Sequence, residues 1–281
     1  MDIWIAVWLT QFIMVFIINA FTLVVFARSR HLRGRNTYLI MNLTVADLLI
    51  GAVSGPEFIL LLKASKRPKK GFGVLYSIIS DMCWIASLGN LALISLERLH
   101  ATLYPFRHCL VGKSVYYKII IFTWFGALTL ACGLQISDMN GAFLANRYQW
   151  ITYVFLTLAV LTTSYVIIIS NFVRKAHVQQ LGSVMSAERK LSVTLFIVSA
   201  SSILTLLPWL IITCIAILDR YLWTEFTPLK IALTFYHLNS ILNPVIYAIR
   251  LTEFRRALNE LFCKNTSYPL RQDQPTELQA M

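Results

Sequence analysis

Charged residues are scarce in this chain. Asp, Glu, Lys and Arg make up 14% of its 281 residues, whereas soluble globular domains carry about 25%. Hydrophobic residues make up 57%, and the mean hydropathy is +0.66. Acidic residues are the scarcest charge, with 13 against 25 basic ones. This composition excludes an ordinary soluble domain and favours a protein that lies in a membrane.

Hydrophobic runs are long where charge is missing. Crossing a bilayer as a helix takes about 20 apolar residues, and seven stretches reach that length. We number them spans 1 to 7: 3–27, 37–62, 72–97, 116–137, 149–173, 190–218 and 227–249. Only helices or closed barrels span bilayers, and unbroken runs do not alternate as barrel strands do. The sequence predicts an all-α membrane protein, a seven-transmembrane helix bundle with a short amphipathic eighth helix.

The basic residues predict the orientation of this bundle and its division into two parts. Residues 1–263 form the predicted membrane domain, and residues 264–281 a disordered C-terminal tail. With the N-terminus outside, 17 of the 25 Lys and Arg residues fall on the cytoplasmic side, as the positive-inside rule requires. We therefore expect a multi-pass plasma-membrane protein whose N-terminus is extracellular. The net charge of +12 then serves topology and contact with anionic lipids rather than nucleic acid binding.

One predicted outer loop is basic against this rule. It contains five cationic side chains within eight residues: Lys63, Lys66, Arg67, Lys69 and Lys70. One interpretation is a solvated loop that also contacts lipid headgroups. The other is an electrostatic funnel for an anionic ligand, since clustered charge raises association rates for opposite charge.

Enzyme motifs and outer cysteines are also missing. The sequence has no P-loop, HExxH, GxSxG or paired-cysteine metal motif, so we do not expect an enzyme. Cys83, Cys132 and Cys214 lie within spans and Cys109 in a cytoplasmic loop, which leaves no pair for an extracellular disulfide. Cys263 follows the last helix beside a basic amphipathic segment, where it is either a palmitoylation site or a free thiol.

Polar residues are few within the spans, but they are grouped. Asp47 lies in the apolar run LIMNLTVADLLIGAV, where a carboxylate is costly and marks a functional position. Span 3 ends in Glu97-Arg98-Leu99, and span 7 contains the string LNSILNPVIYAIR. One polar cluster in each of several spans indicates a helix bundle whose functional residues face its interior.

These residues, in this order, resemble the rhodopsin-like (class A) G protein-coupled receptors along nearly the whole chain. Asn243-Pro244-Val245-Ile246-Tyr247 is a full NPxxY match, and Glu97-Arg98-Leu99 stands at the family's Asp/Glu-Arg-Tyr triplet. The other matching positions are Asn19, Asp47, Pro105, Trp124, Tyr165, Pro208 and Phe254. The resemblance implies a receptor that senses an extracellular small-molecule, lipid-like or short peptide ligand and activates a heterotrimeric G protein.

The resemblance also implies how such a receptor would switch. Arg98 would pair with Glu188 at the foot of span 6, and loss of this charge-assisted tie would open a cleft for the G protein. Alternatively, Arg98 simply extends toward the membrane interface. The residues expected to take part in coupling and activation are Glu97, Arg98, Tyr165, Glu188, Asn243, Pro244 and Tyr247.

Asp47 has a second implied role. In related receptors this aspartate belongs to a sodium site that favours the inactive state, and hard oxygen ligands suit such an ion. The predicted ligands are Asp47, Ser87, Asn239, Ser240 and Asn243. The alternative is a cluster of interhelical hydrogen bonds without an ion.

The ligand pocket is predicted in the outer half, between spans 2, 3, 5, 6 and 7. Its lining residues would include Glu57, Ser80, Asp81, Trp84, Tyr153, Trp209, Thr213, Tyr236 and His237. Ser80 replaces the aspartate of amine receptors, and His237 replaces the retinal-binding lysine of opsins, so no retinal is expected. Leu206 stands where the family has a tryptophan switch, and either Leu206 or the nearby Trp209 takes that role.

Two further interpretations concern the branch of the family and the class of protein. Gly73 in place of a span 3 cysteine and Thr157 in place of a span 5 proline resemble the melanocortin, lysophospholipid and cannabinoid branch. A proton- or ion-coupled transporter with Asp47 as relay is the alternative from another class. Transporters tend to show internal repeats with broken helices, and none is visible here.

Overall fold

The structure is a computed structural model that describes residues 3–29, 32, 34, 37–64, 71–176, 184–218 and 227–262. At residues 57–64, 143, 175–176, 184–192, 216, 218 and 262 it describes the backbone alone. The described residues form nine helices: α1 (Ile3–Arg28), α2 (Thr37–Ala64), α3 (Phe72–Leu103), α4 (Pro105–Cys109), α5 (Lys113–Met139), α6 (Phe143–Ala176), α7 (Val184–Leu218), α8 (Thr227–Arg250) and α9 (Thr252–Phe262). The all-helical prediction is confirmed.

All seven predicted spans appear as helices, in α1, α2, α3, α5, α6, α7 and α8. Among the described residues, six helices are long and apolar enough to cross a membrane. The seventh, α8, is less apolar because it carries the polar series His237, Asn239, Ser240 and Asn243 along one helix. Each helix is as long as its predicted span or longer. For example, α3 continues six residues past the predicted end at 97.

Local sequence explains where several helices begin and end. Gly71 precedes α3 with a φ of 55°, a conformation that side chains other than glycine rarely adopt. Pro105 occupies the first turn of α4, where its missing N–H costs nothing. A second positive-φ glycine, Gly141 at 71°, turns the chain between α5 and α6.

The spanning helices close into a ring, with α8 packed against both α7 and α1. Helix α3 is the central element because it contacts α2, α5, α6 and α7. The outward faces stay apolar: Ile121, Phe122 and Phe125 on α5 are 69%, 77% and 68% exposed. Such a surface suits lipid rather than water.

Helices α1 and α2 approach closely at two glycines. A Cβ atom on Gly51 would lie 2.6 Å from the backbone nitrogen of Phe16, and one on Gly55 would lie 3.2 Å from Cβ of Phe12. Small residues at such crossings let backbones meet, which is a main source of helix association in bilayers.

The amphipathic helix α9 runs on from α8 and packs against α1. Phe254 and Ala257 are buried, whereas Arg255 and Arg256 are exposed. The Phe254 ring lies 5.4 Å from that of Phe26 in α1. The structure therefore contains the predicted eighth helix, while Cys263 and the tail 264–281 lie outside the described residues.

Candidate functional site

The first cluster surrounds Asp47, which is fully buried near the middle of α2. Ser87 of α3 and Ser240 of α8 donate hydrogen bonds of 2.6 and 2.8 Å to its Oδ1. Asn243 donates a hydrogen bond of 2.9 Å from Nδ2 to its Oδ2. Three helices thus meet at one carboxylate, and four of the five residues predicted for a sodium site are in direct contact.

Two amide oxygens of α8 have no hydrogen-bond partner among the described residues, Oδ1 of Asn239 and Oδ1 of Asn243, and Asn243 contacts the carboxylate through its Nδ2. Both residues are 1% exposed. Buried oxygens are normally paired, so unpaired ones next to a buried carboxylate need an explanation. Carboxylate, hydroxyl and amide oxygens are the hard donors that small hard cations take, and this donor set fits sodium.

A second polar network joins α5, α2 and α3 beside the Asp47 cluster, and its role is to hold these helices together. Trp124 of α5 donates from Nε1 to Oδ1 of Asn42 at 2.9 Å, and Asn42 donates from Nδ2 to Oδ1 of Asn90 at 2.7 Å. Asn19 of α1 donates from Nδ2 to the backbone oxygen of Ser240 at 3.1 Å. These bonds hold α1, α2, α3, α5 and α8 around the Asp47 cluster. Asn42 and Asn90 were not among the residues predicted from the sequence.

The second functional cluster lies at the opposite end of α3 from Gly71, which we call the Arg98 end of the bundle. Arg98 is 2% exposed and forms an ion pair with the adjacent Glu97. Glu97 also accepts a 3.3 Å hydrogen bond from the Tyr116 hydroxyl of α5. His108 Nε2 of α4 lies 3.3 Å from the same Oε1 atom. The buried guanidinium is thus held by a carboxylate that three helices share.

The sequence predicted Arg98 and Glu97 here but missed Tyr116 and His108. A tyrosine near the start of an apolar span and a histidine in a short loop carry no signal of their own. The predicted partner Glu188 has a side chain outside the described residues, so its tie to Arg98 stays a prediction.

Two predicted tyrosines lie in the interior between these clusters. Tyr165 of α6 is 3% exposed, and its ring packs edge-on against Phe196 of α7 at 5.5 Å. Tyr247 of α8 is fully buried, and its hydroxyl has no hydrogen-bond partner among the described residues. A buried hydroxyl without a partner destabilises the folded state by about 1–3 kcal/mol. A conformation in which the Tyr247 hydroxyl finds a partner is stabilised by the same amount.

Aromatic rings fill the half of the bundle opposite the Arg98 end. The Trp84 ring of α3 lies 4.6 Å from that of Tyr236 and 5.5 Å from that of His237, both of α8. Trp209 of α7 lies 5.2 Å from Tyr236. The structure therefore brings together four of the predicted pocket residues. Trp8 and Phe12 of α1 join them against His237, at 6.2 and 4.9 Å, and no sequence pattern singled these two out.

Other predicted pocket residues have partners elsewhere. The hydroxyls of Ser80 and Ser54 are hydrogen-bonded at 2.7 Å. Asp81 accepts a 2.6 Å bond from Nε2 of Gln135 in α5, and Tyr153 donates to the backbone oxygen of Ile85 at 2.6 Å. Gln135 could have been noticed as a polar residue in an apolar span.

The remaining predicted positions divide in the same way. Thr213 is fully buried, and its hydroxyl has no partner among the described residues. Leu206 is fully buried too, whereas Trp209 is 8% exposed and joins the aromatic rings. The side chains of Glu57 and of the basic residues Lys63–Lys70 lie outside the described residues.

Comparison with known proteins agrees with this architecture. The model of the family "7 transmembrane receptor (rhodopsin family)" matches residues 18–140. The structure superposes on squid rhodopsin with a TM-score of 0.75 over 93% of this chain and 84% of that one, at 17% identity. That likeness shows the seven-transmembrane fold.

Sequence relatives point the same way. The histamine H2 receptor of Cavia porcellus is 25% identical over 84% of this chain and 72% of its own length. The GQ-coupled rhodopsin of Mizuhopecten yessoensis is 25% identical over 87% of this chain, which covers 57% of that protein. These relatives are receptors rather than enzymes or transporters, so the expectation that the chain is not an enzyme is confirmed and the transporter alternative is not supported. The chain is therefore similar to the rhodopsin-like (class A) G protein-coupled receptors over most of its length, and its residues 18–140 match the model of that family.

Proposed function

We propose that this receptor binds a small molecule among the aromatic rings of one end and passes the signal to a heterotrimeric G protein at the Arg98 end. The observation that carries the proposal is the ion pair between the buried Arg98 and the partly buried Glu97. A charge that stays buried after its partner has left is strongly destabilising. The Arg98–Glu97 pair is therefore either closed or fully open, with each charge in contact with another partner or with water. A partner that offers Arg98 new acceptors selects the state in which the pair is open.

The Arg98 end faces the cytoplasm in this proposal. The basic residues of the short connections favour that orientation, and α9 presents Arg255 and Arg256 on its exposed face, where anionic lipid headgroups would meet them. The N-terminus is then extracellular, and the receptor belongs in the plasma membrane.

Nucleotide exchange separates this function from transport. The full chain in lipid nanodiscs is mixed with a panel of purified heterotrimers, and GTPγS binding is measured against empty discs. Reconstituted vesicles are tested in parallel for proton and sodium flux. Accelerated exchange without flux is the expected result, whereas flux without exchange would return the chain to the transporter alternative.

A sodium ion is the proposed regulator of the Asp47 cluster. Asp47, Ser87, Ser240, Asn239 and Asn243 would hold it, and the ion would supply positive charge to a carboxylate that the described part of the chain leaves without a cationic partner. The two unpaired amide oxygens support this proposal. By holding α2, α3 and α8 together, a bound cation would favour the closed bundle.

The proposed ligand is a small molecule that stacks between Trp84, Tyr236 and Trp209. The names of the relatives include histamine receptors, which makes histamine the first probe. An amine would have to displace Gln135 from Asp81, because Ser80 offers only a hydroxyl that Ser54 already holds. We therefore expect weak binding of histamine to the wild type and stronger binding after Gln135→Ala, measured by competition or thermal shift. Equal affinity in both proteins would place the amine away from Asp81.

The assignment of the chain to the melanocortin, lysophospholipid and cannabinoid branch stays a prediction.

A further inference from the structure

Two histidines continue the Glu97 cluster outward from Arg98. His108 Nε2 faces Glu97 Oε1 at 3.3 Å, and His108 Nδ1 faces His100 Nδ1 at 3.3 Å. His100 belongs to α3 and His108 to the short helix α4. Glu97, His108 and His100 therefore form a chain of polar contacts, which we call the histidine relay, that joins α4 to α3 one residue from Arg98.

The contacts of the relay restrict where its protons can lie when both histidines are neutral. A neutral His108 that carries its proton on Nε2, 3.3 Å from the Glu97 carboxylate, has Nδ1 as an acceptor. His100 must then donate from Nδ1 to His108. The relay can accept one more proton without losing a contact, because a protonated His108 donates from both nitrogens, to Glu97 and to a now-accepting His100.

Other ionisable groups surround the relay on three helices. They are Arg98 of α3, Tyr104 between α3 and α4, Arg107 of α4, and Tyr116 of α5. The Tyr104 ring lies 5.8 Å from that of His100, with the Arg107 guanidinium 5.9 Å from the Tyr104 centroid. Glu97 faces His108 and is shared with Arg98.

We propose that the histidine relay is a proton sensor on the cytoplasmic face, which favours release of Arg98 from Glu97 when the cytoplasm becomes acidic. An imidazolium at His108 competes with Arg98 for the Glu97 carboxylate. Its charge is repelled while the guanidinium is paired there, and it is fully compensated once the guanidinium has left. The proton thus binds more tightly to the open state, and by linkage it shifts the population toward that state. Histidine titrates in the physiological range, so modest changes of pH suffice.

This inference rests on the proposed function, in which opening of the Arg98–Glu97 pair accompanies activation. The relay itself is tested without a G protein. Histidine ring resonances of the full chain in nanodiscs are followed by NMR from pH 8 to pH 5, with His237→Gln, in the opposite half of the bundle, as the control. His108→Tyr keeps a donor for Glu97 but does not titrate below about pH 10. The variant is expected to change the pH dependence of the His100 resonances, whereas His237→Gln leaves it in place; an unchanged pH dependence in His108→Tyr overturns the relay.

The consequence for signalling is tested by ligand-free GTPγS exchange at pH 7.5 and pH 6.0. Each rate is divided by that of His108→Tyr at the same pH, which removes the effect of pH on the G protein. We expect this ratio to rise about five-fold in the wild type, the lower end of usual coupling between two sites. A flat ratio overturns the proposal, and so does a pH response that persists in His108→Phe. Absence of exchange with every heterotrimer at either pH would instead refute the proposed function, and the NMR titration would then decide the relay alone.

Discussion

Replacement of Asp47 by asparagine tests the sodium site. The carboxylate accepts three hydrogen bonds of 2.6, 2.8 and 2.9 Å from Ser87, Ser240 and Asn243. In Asp47→Asn the new Oδ1 can keep both serine bonds, but its Nδ2 would face Nδ2 of Asn243. A flip of the Asn243 amide removes that conflict, because its Oδ1 has no partner among the described residues. The variant can therefore keep all three bonds while losing the charge.

The expected stability change follows from this count. Three bonds to a charged acceptor become neutral bonds, each weaker by about 1 kcal/mol, while the buried charge no longer has to be desolvated. The two effects oppose each other, so we expect a small change in melting temperature without sodium. The sodium effect should be large by comparison: an ion at ten times its Kd stabilises the wild type by about 1.4 kcal/mol, and this gain is absent from Asp47→Asn.

Thermal unfolding in nanodiscs measures the effect directly. Melting temperatures are compared in sodium chloride, potassium chloride and an organic cation at one ionic strength, which holds screening of exposed charge constant. Ligand-free GTPγS exchange is measured in the same buffers, and sodium is expected to lower it in the wild type alone. A sodium response that survives in Asp47→Asn would refute the site, and equal responses to every cation would assign the effect to general electrostatics.

Three further variants test the coupling end and the packing. Arg98→Ala should abolish nucleotide exchange while keeping surface expression, and the exposed Arg256→Ala serves as its control; unchanged exchange in Arg98→Ala would contradict the proposed coupling site. Glu188→Gln should raise ligand-independent exchange at matched expression, because the closed state alone loses a charge-assisted bond; equal or lower basal exchange would mean that the predicted tie does not form. Gly51→Ala should destabilise the bundle by about 1–3 kcal/mol, since its Cβ would lie 2.6 Å from a backbone nitrogen. Gly126→Ala meets open space, and an equal loss of melting temperature in both variants would argue against the close crossing of α1 and α2.

The Asp47 and Glu97 clusters share a design that helps to interpret these variants. In each, the contacts of one carboxylate join three helices, so relative motion of those helices changes the environment of the charge. Tyr247 lies in the interior on the same helix as Asn243, and its hydroxyl has no partner in the part of the chain that the structure describes. A movement of α8 would therefore affect the Asp47 cluster and the partners available to Tyr247 together, and this is a physical route between the two ends of the bundle.

The sequence alone determined the number and placement of the spans. A bilayer forces each crossing segment to satisfy its own backbone hydrogen bonds, so length and hydropathy suffice to locate helices. Interior carboxylates such as Asp47 were also visible, because burying a charge in a membrane is too costly to occur without a role. The helix ends were harder to place, since α3 continues past its apolar part to Leu103.

Tertiary structure decided which of these side chains meet. Asn243 reaches Asp47 across 196 residues of chain, and one step along a helix turns a side chain by about 100°. The sequence fixes the depth of a residue in the membrane but leaves the rotation and tilt of its helix open. A hydrogen bond forms only when donor and acceptor lie within a few tenths of an ångström of the ideal distance, so a small error in helix rotation or tilt loses the predicted contact. Contacts such as Ser80 with Ser54, Gln135 with Asp81 and His108 with Glu97 therefore emerge only when the helices are packed.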